Sequence, residues 1–195
     1  MAAFRTADLV ARHSRSYVRH AVNSGRWQRP LRGVVVTHNG PISQSERHVI
    51  RLLSCPPKSV LAGATSLELG GLVGFESSTT FVVIPEGADR PRREGLVTHW
   101  STQLDPADVH PVLDPPRTRV PRSLVDFASW CGNDRYARAA VIAAFQQGLV
   151  RAQQVHEALD RRGQPLRKGI VRESVLDAQG GKQSLPEVDF DALIV

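Results

Sequence analysis

Seven arginines crowd into the first 32 residues, at positions 5, 12, 15, 19, 26, 29 and 32, with one acid, Asp8, among them. A stretch this cationic can hide only a thin apolar seam and must turn its charge outward. The whole chain carries a formal net charge of +6. The amino-terminal segment accounts for all of that excess, and the rest of the chain sums to zero. A basic segment on a neutral body is the electrostatic footprint of contact with a polyanion. Nearly all the basic groups are arginine, whose planar fork suits bidentate contacts with phosphates and bases. A genome rich in G and C would favour arginine codons everywhere, but it does not explain a surplus at one end.

The local signals in this segment describe two short helices and a hairpin. Thr6 is expected to cap a helix from Ala7 to about Arg12, with Asp8 in its first turn. Ser14 is expected to cap a second helix from Arg15 to about Ser24, which Gly25 stops. On that helix Val18 and Val22 form the apolar stripe. Ser16, His20 and Asn23 fall opposite, with Arg19 on their flank. Arg26 to Leu31, a turn near Arg32-Gly33 and the run Val34 to Thr37 read as a β-hairpin. This is the order of a winged helix-turn-helix, whose second helix enters the major groove. Arg12 and Arg15 would meet phosphates, and Arg29 and Arg32 on the wing would meet flanking phosphates or the minor groove. Ser16, Arg19, His20 and Asn23 would face base edges, with Arg26 beside them. A basic, solvated helix pair with no ligand is the plainer alternative.

Asn39-Gly40-Pro41 reads as a link to a second region. There, Ser43 to Ser54 is expected as a helix opened by a Ser43–Glu46 capping box, with Val49, Ile50, Leu52 and Leu53 on its apolar side. A short helix near 64–69, strands at 81–84 and 96–100, and a polar loop from Arg90 to Glu94 follow. Beyond the proline-rich stretch 111–121, helices are expected near 122–130, 134–147, 152–161 and 168–176. The fold class is therefore α+β: a winged helix-turn-helix (1–40), then a mixed α/β domain with a helical carboxy-terminal part (41–180). There is no internal repeat.

Several strings resemble the AbiEi-type antitoxins of bacterial abortive-infection systems. They are Gly25-Arg26-Trp27-Gln28-Arg29 leading to Arg32-Gly33-Val34, Leu67-Glu68-Leu69-Gly70-Gly71-Leu72, Thr98-His99-Trp100-Ser101, and Pro116-Arg117-Thr118-Arg119 before Ser123-Leu124-Val125-Asp126. Gly180 to Glu187 with Phe190 complete the set, so the likeness runs from about residue 5 to the end. The resemblance implies promoter binding by the winged helix, often with repression of the protein's own operon. It also implies opposition to a nucleotidyltransferase-like toxin. Longer members carry a domain similar to the very-short-patch repair endonuclease, and residues 181–195 are expected to be the start of a truncated copy. In this family a helix usually supports the helix-turn-helix pair; five residues before Thr6 leave room for a very short one at most.

Catalytic chemistry is not expected. Nuclease-like relatives hold metal with a (D/E)-x-K strand. Here Lys58 is preceded two residues back by Pro56, Lys168 by Leu166 and Lys182 by Gly180. Ser184 and Glu187 read as a capping box. The seven histidines show no zinc spacing, and neither a nucleophile elbow nor a phosphate loop is present. No cofactor and no metal are expected. His99 reads as a packed strand residue, Trp27 as packing at the base of the wing, and Asp126 as a partner for a nearby arginine. Cys55 and Cys131 read as reduced core thiols of a cytoplasmic protein. Apolar runs as short as Val34-Val35-Val36 leave no membrane span. The expected partner is double-stranded DNA. The alternatives are an inactive nuclease relative and a protein-interaction module without DNA binding.

Overall fold

A run of three valines sits at the centre of the amino-terminal sheet. In the computed structural model, which describes residues 2–101 and 104–180, β3 (Val34–Val36) lies between β1 (Ala3–Arg5) and β2 (Gln28–Leu31), antiparallel to both. Successive side chains on a strand point to opposite faces. Val35 joins Leu9 and Val18 on one side, while Val34 and Val36 pack with Val49 and Ile50 on the other. All three valines are fully buried because both faces are covered. Pro30, which has no N–H to give, sits on edge strand β2, where the pairing is irregular between Gln28 and Leu31.

The covering elements on the first side are α1 (Thr6–Arg12) and α2 (Arg15–Asn23). Ser14 caps α2 as expected, its Oγ accepting from Tyr17 N at 3.1 Å. Thr6 does not cap α1. Strand β1 runs through Arg5, which takes the cap position without a side-chain bond, so Thr6 is already the first helical residue. Its backbone N–H donates to the Gly33 carbonyl of the hairpin turn at 2.8 Å.

The other face is covered by α3 (Gln44–Leu53), and its capping box is fully formed. Ser43 Oγ accepts from Glu46 N at 3.3 Å, and Ser43 N donates to the Glu46 carboxylate at 2.9 Å. The bond from Ser43 N, with His38 Nε2 at 2.8 Å, holds the Glu46 pKa down at about 2. The preceding link is pinned, since Gln28 Nε2 donates to the carbonyls of His38 (3.1 Å) and Gly40 (2.7 Å).

Helix α3 is shared between the two halves. Its Leu52 packs with Leu61, Val82 and Ile84 of a second sheet. That sheet has the order β4 (Val60–Leu61), β5 (Thr80–Pro85), β6 (Leu96–Ser101), with β5 and β6 parallel. Buried His48 places Nδ1 2.8 Å from Thr80 Oγ1. Gln44 and Arg51 donate to the carbonyls of Ser77 (2.9 Å) and Ser78 (2.7 Å).

The remainder is helical: α4 (Gly63–Leu69), α5 (Val120–Trp130), α6 (Asp134–Gln146), α7 (Ala152–Arg162) and α8 (Lys168–Gln179). The expected stripe on α6 is buried at Ala137, Ala140, Val141 and Ala144, with Phe145 half-buried at its edge. Asp126 accepts from Arg122 (2.9 Å) and Arg162 (3.2 Å). Asp108 accepts from Arg122 and Arg161, each at 2.8 Å. This buried network ties α5 and α7 to the 3-10 turn Pro106–Asp108. The architecture is α+β. Among the described residues, no helix is long and apolar enough to cross a membrane. Residues 181–195, where the nuclease-like segment and the Ser184–Glu187 box were expected, lie outside the described residues.

Candidate nucleic-acid interface

Helix α2 owes its orientation to three side chains. Val18 and Ala21 are buried and Val22 is half-buried, which fixes that side against Leu9 and Val35. At 100° per residue, Ser16, Arg19, His20 and Asn23 must then face away, and all four are exposed. The helix ends at Asn23 with Ser24 as its cap, and Gly25 takes φ +72°, a left-handed turn open to glycine without strain. The Trp27 N–H then donates to the Ala21 carbonyl at 3.0 Å, which sets the hairpin against the end of α2. Gly33, at φ +84°, makes the hairpin turn. Arg29 and Arg32 are exposed on β2 and at its tip.

Arg12, Arg15, Ser16, Arg19, His20, Asn23, Arg26, Arg29 and Arg32 thus all lie on the exposed surface of one small unit. Arg12 lies over the Phe4 ring at 5.7 Å, and Arg26 lies over the Tyr17 ring at 5.8 Å with Nε 3.4 Å from Ser24 Oγ. Ser16 Oγ lies 2.9 Å from Ser14 Oγ. Among the described residues Arg15, Arg19, Arg29 and Arg32 have neither an ion pair nor a hydrogen-bonded side chain. Exposed cations without acid partners keep their full field for a ligand. Arg5 is different: its guanidinium donates to the Cys55 carbonyl at 3.0 Å and joins β1 to the end of α3.

Sequence reasoning missed one feature. Tyr17 stacks on His13 at 5.0 Å and meets Trp27 edge-on at 5.7 Å, yet remains 43% exposed. The four-residue spacing of His13 and Tyr17 was the available signal, but it crosses the break between α1 and α2. Trp27 packs at the base of the wing with Leu9, Val18 and Val35, as expected.

The other chemistry-bearing groups are committed to structure. Burial pushes the Cys55 thiol up to about 11, far from a reactive thiolate, and raises that of Cys131. His99 lies flat on Trp130, ring centroids 3.8 Å apart. Burial first, then Arg90 and Arg162, brings its pKa down to about 4. Asp126 is an acceptor for arginines, as expected. Among the described residues, no group of three or more His, Cys, Asp or Glu side chains is placed to hold a metal.

No family model matches the chain, and no curated protein matches it. Among solved structures it is similar to the RV2827C protein of Mycobacterium tuberculosis, with a TM-score of 0.56 and 15% identity. That match covers 95% of this chain and 79% of the other. At such identity the likeness speaks for the fold alone.

Proposed function

We propose that the chain is a sequence-specific, double-stranded-DNA-binding transcriptional regulator, and that it acts as an AbiEi-like antitoxin. The observation that carries the DNA-binding reading is the outward face of α2. Arg19, His20, Asn23 and Ser16 stand exposed on a helix whose opposite side is anchored. Arg15, Arg29 and Arg32, unpaired among the described residues, flank that face. Arginine and asparagine are the side chains that read guanine and adenine edges bidentately. The surrounding arginines would fix register through phosphates. Tyr17, exposed beside Arg26, would lie at the rim of the contact.

If Arg12, Arg15, Arg29 and Arg32 each neutralise one phosphate, log K falls with log salt at a slope of about −3.6. An electrophoretic shift at low salt, using the duplex upstream of the chain's own reading frame, tests the reading. A retarded complex that weakens at least this steeply supports it, and absence of a complex overturns it. The antitoxin half rests on the sequence resemblance. Co-purification with the product of the neighbouring gene separates an antitoxin from a plain repressor.

A further inference from the structure

A second set of arginines lies outside the winged unit, on the 86–95 connection between parallel strands β5 and β6. Arg90, Arg92 and Arg93 are all exposed there. None pairs with an acid among the described residues. Arg90 lies on the Trp100 ring at 3.9 Å, and Arg93 donates to the Arg92 carbonyl at 3.0 Å. A guanidinium laid on an indole is held in place while its N–H edges stay free for acceptors.

The connection returns alongside the wing. A cleft of about 440 Å³ has Pro30 and Leu31 of β2 on one side and Arg93 and Glu94 on the other, with Arg47 and Arg51 of α3. A second, of about 690 Å³, is lined by Arg90, Arg92 and Arg93 and shares Arg93 and Glu94 with the first. Five arginines and one acid therefore line two adjoining clefts. The other acids of the connection, Glu86 and Asp89, line neither. Helix α3 is bound to the wing sheet through Val49 and Ile50 and to β5 through His48, so the two basic surfaces keep a fixed relation.

We infer that a DNA duplex seated on α2 and the wing continues past β2 onto this connection, where Arg92 and Arg93 take two further backbone phosphates. The inference rests on the DNA-binding reading above. From Arg90 to Arg93 the chain can span up to about 10 Å. Such a row suits a string of phosphates better than a single phosphate group.

The test uses the full chain and fluorescein-labelled duplexes of about 40 and about 16 base pairs from upstream of its own reading frame, titrated by anisotropy over a range of salt. The wild type is expected to bind the longer duplex more tightly. The Arg92→Ala/Arg93→Ala double variant is expected to lose that advantage, with a salt slope shallower by about 1.8. A double variant that keeps both the slope and the length dependence overturns this inference and leaves the winged-helix contact standing. A wild type that binds neither duplex overturns the DNA-binding reading, and this inference with it.

Discussion

Replacing His99 by phenylalanine should remove much of the protein's sensitivity to mild acid. The His99 ring is stacked on Trp130 with only 2° between the planes, and its Nε2 is buried without a partner among the described residues. Burial, with Arg90 and Arg162 nearby, holds its pKa down from 6.5 to about 4. In the unfolded chain the imidazole takes up its proton near pH 6.5, whereas in the folded chain it stays neutral until about pH 4. Stability is therefore complete above pH 6.5 and drains away as the pH falls between those values. From pH 6.5 to about pH 5 the loss has a ceiling of about 2 kcal/mol, at 1.36 kcal/mol per unit, and solvent screening at the partly exposed ring brings it to about 1 kcal/mol. For a chain of this size that is about 2–4 °C in Tm. His48, fully buried and also lowered by burial, contributes with the same sign. His99→Phe keeps an aromatic ring on Trp130 and deletes one titration. Urea unfolding of both proteins at about pH 7.5 and about pH 5 measures the difference. An acid loss in His99→Phe equal to that of the wild type would refute the reasoning.

Three other outcomes follow from the same geometry. Asp126→Ala removes one of the two carboxylates that Arg122 pairs with among the described residues, so urea unfolding should show a loss of about 3–5 kcal/mol; a loss below about 1 kcal/mol would contradict the buried pairing. Gly63→Ala places a Cβ 2.7 Å from the Trp130 ring at a backbone φ of +53°, and should cost about 1–3 kcal/mol by the same measurement. Arg29→Ala and Arg32→Ala should each make the salt slope shallower by about 0.9 and weaken all duplexes alike; a loss confined to one sequence would place these residues on bases instead.

Helices with a strong cap and a clear stripe were legible in the sequence. Ser14 with Val18, Ser43 with Glu46 and Ile50, and the alanine stripe of α6 gave elements within one or two residues of those observed. Strands β1 and β4 were not legible. They have three and two residues, and their stability comes from partners far along the chain, Val36 for Ala3 and Val83 for Val60. Thr6 shows the same competition: its cap chemistry was present in the sequence, but pairing of β1 with β3 carried the strand through Arg5. At the candidate interface, charge composition together with the helical period opposite Val18 and Val22 placed all nine positions on the surface. It could not show that Arg5 serves the Cys55 carbonyl, nor that Tyr17 stays exposed in a ring stack. The 90–94 segment read as a polar loop because nothing local encodes a parallel return beside the wing.

On the proposed function, the anchored helix α2 reads base sequence with Arg19 and Asn23. The most direct measurement is the affinity ratio between the duplex upstream of the chain's own reading frame and a scrambled duplex of the same length. It is taken for the wild type, Arg19→Ala and Asn23→Ala. One good bidentate contact supplies about 1–3 kcal/mol of discrimination, roughly 5- to 150-fold. A wild-type ratio in that range or above is expected, reduced by either substitution while the salt slope stays within about one unit of the wild type's. A wild type that binds both duplexes equally, or a ratio that neither substitution changes, would contradict it.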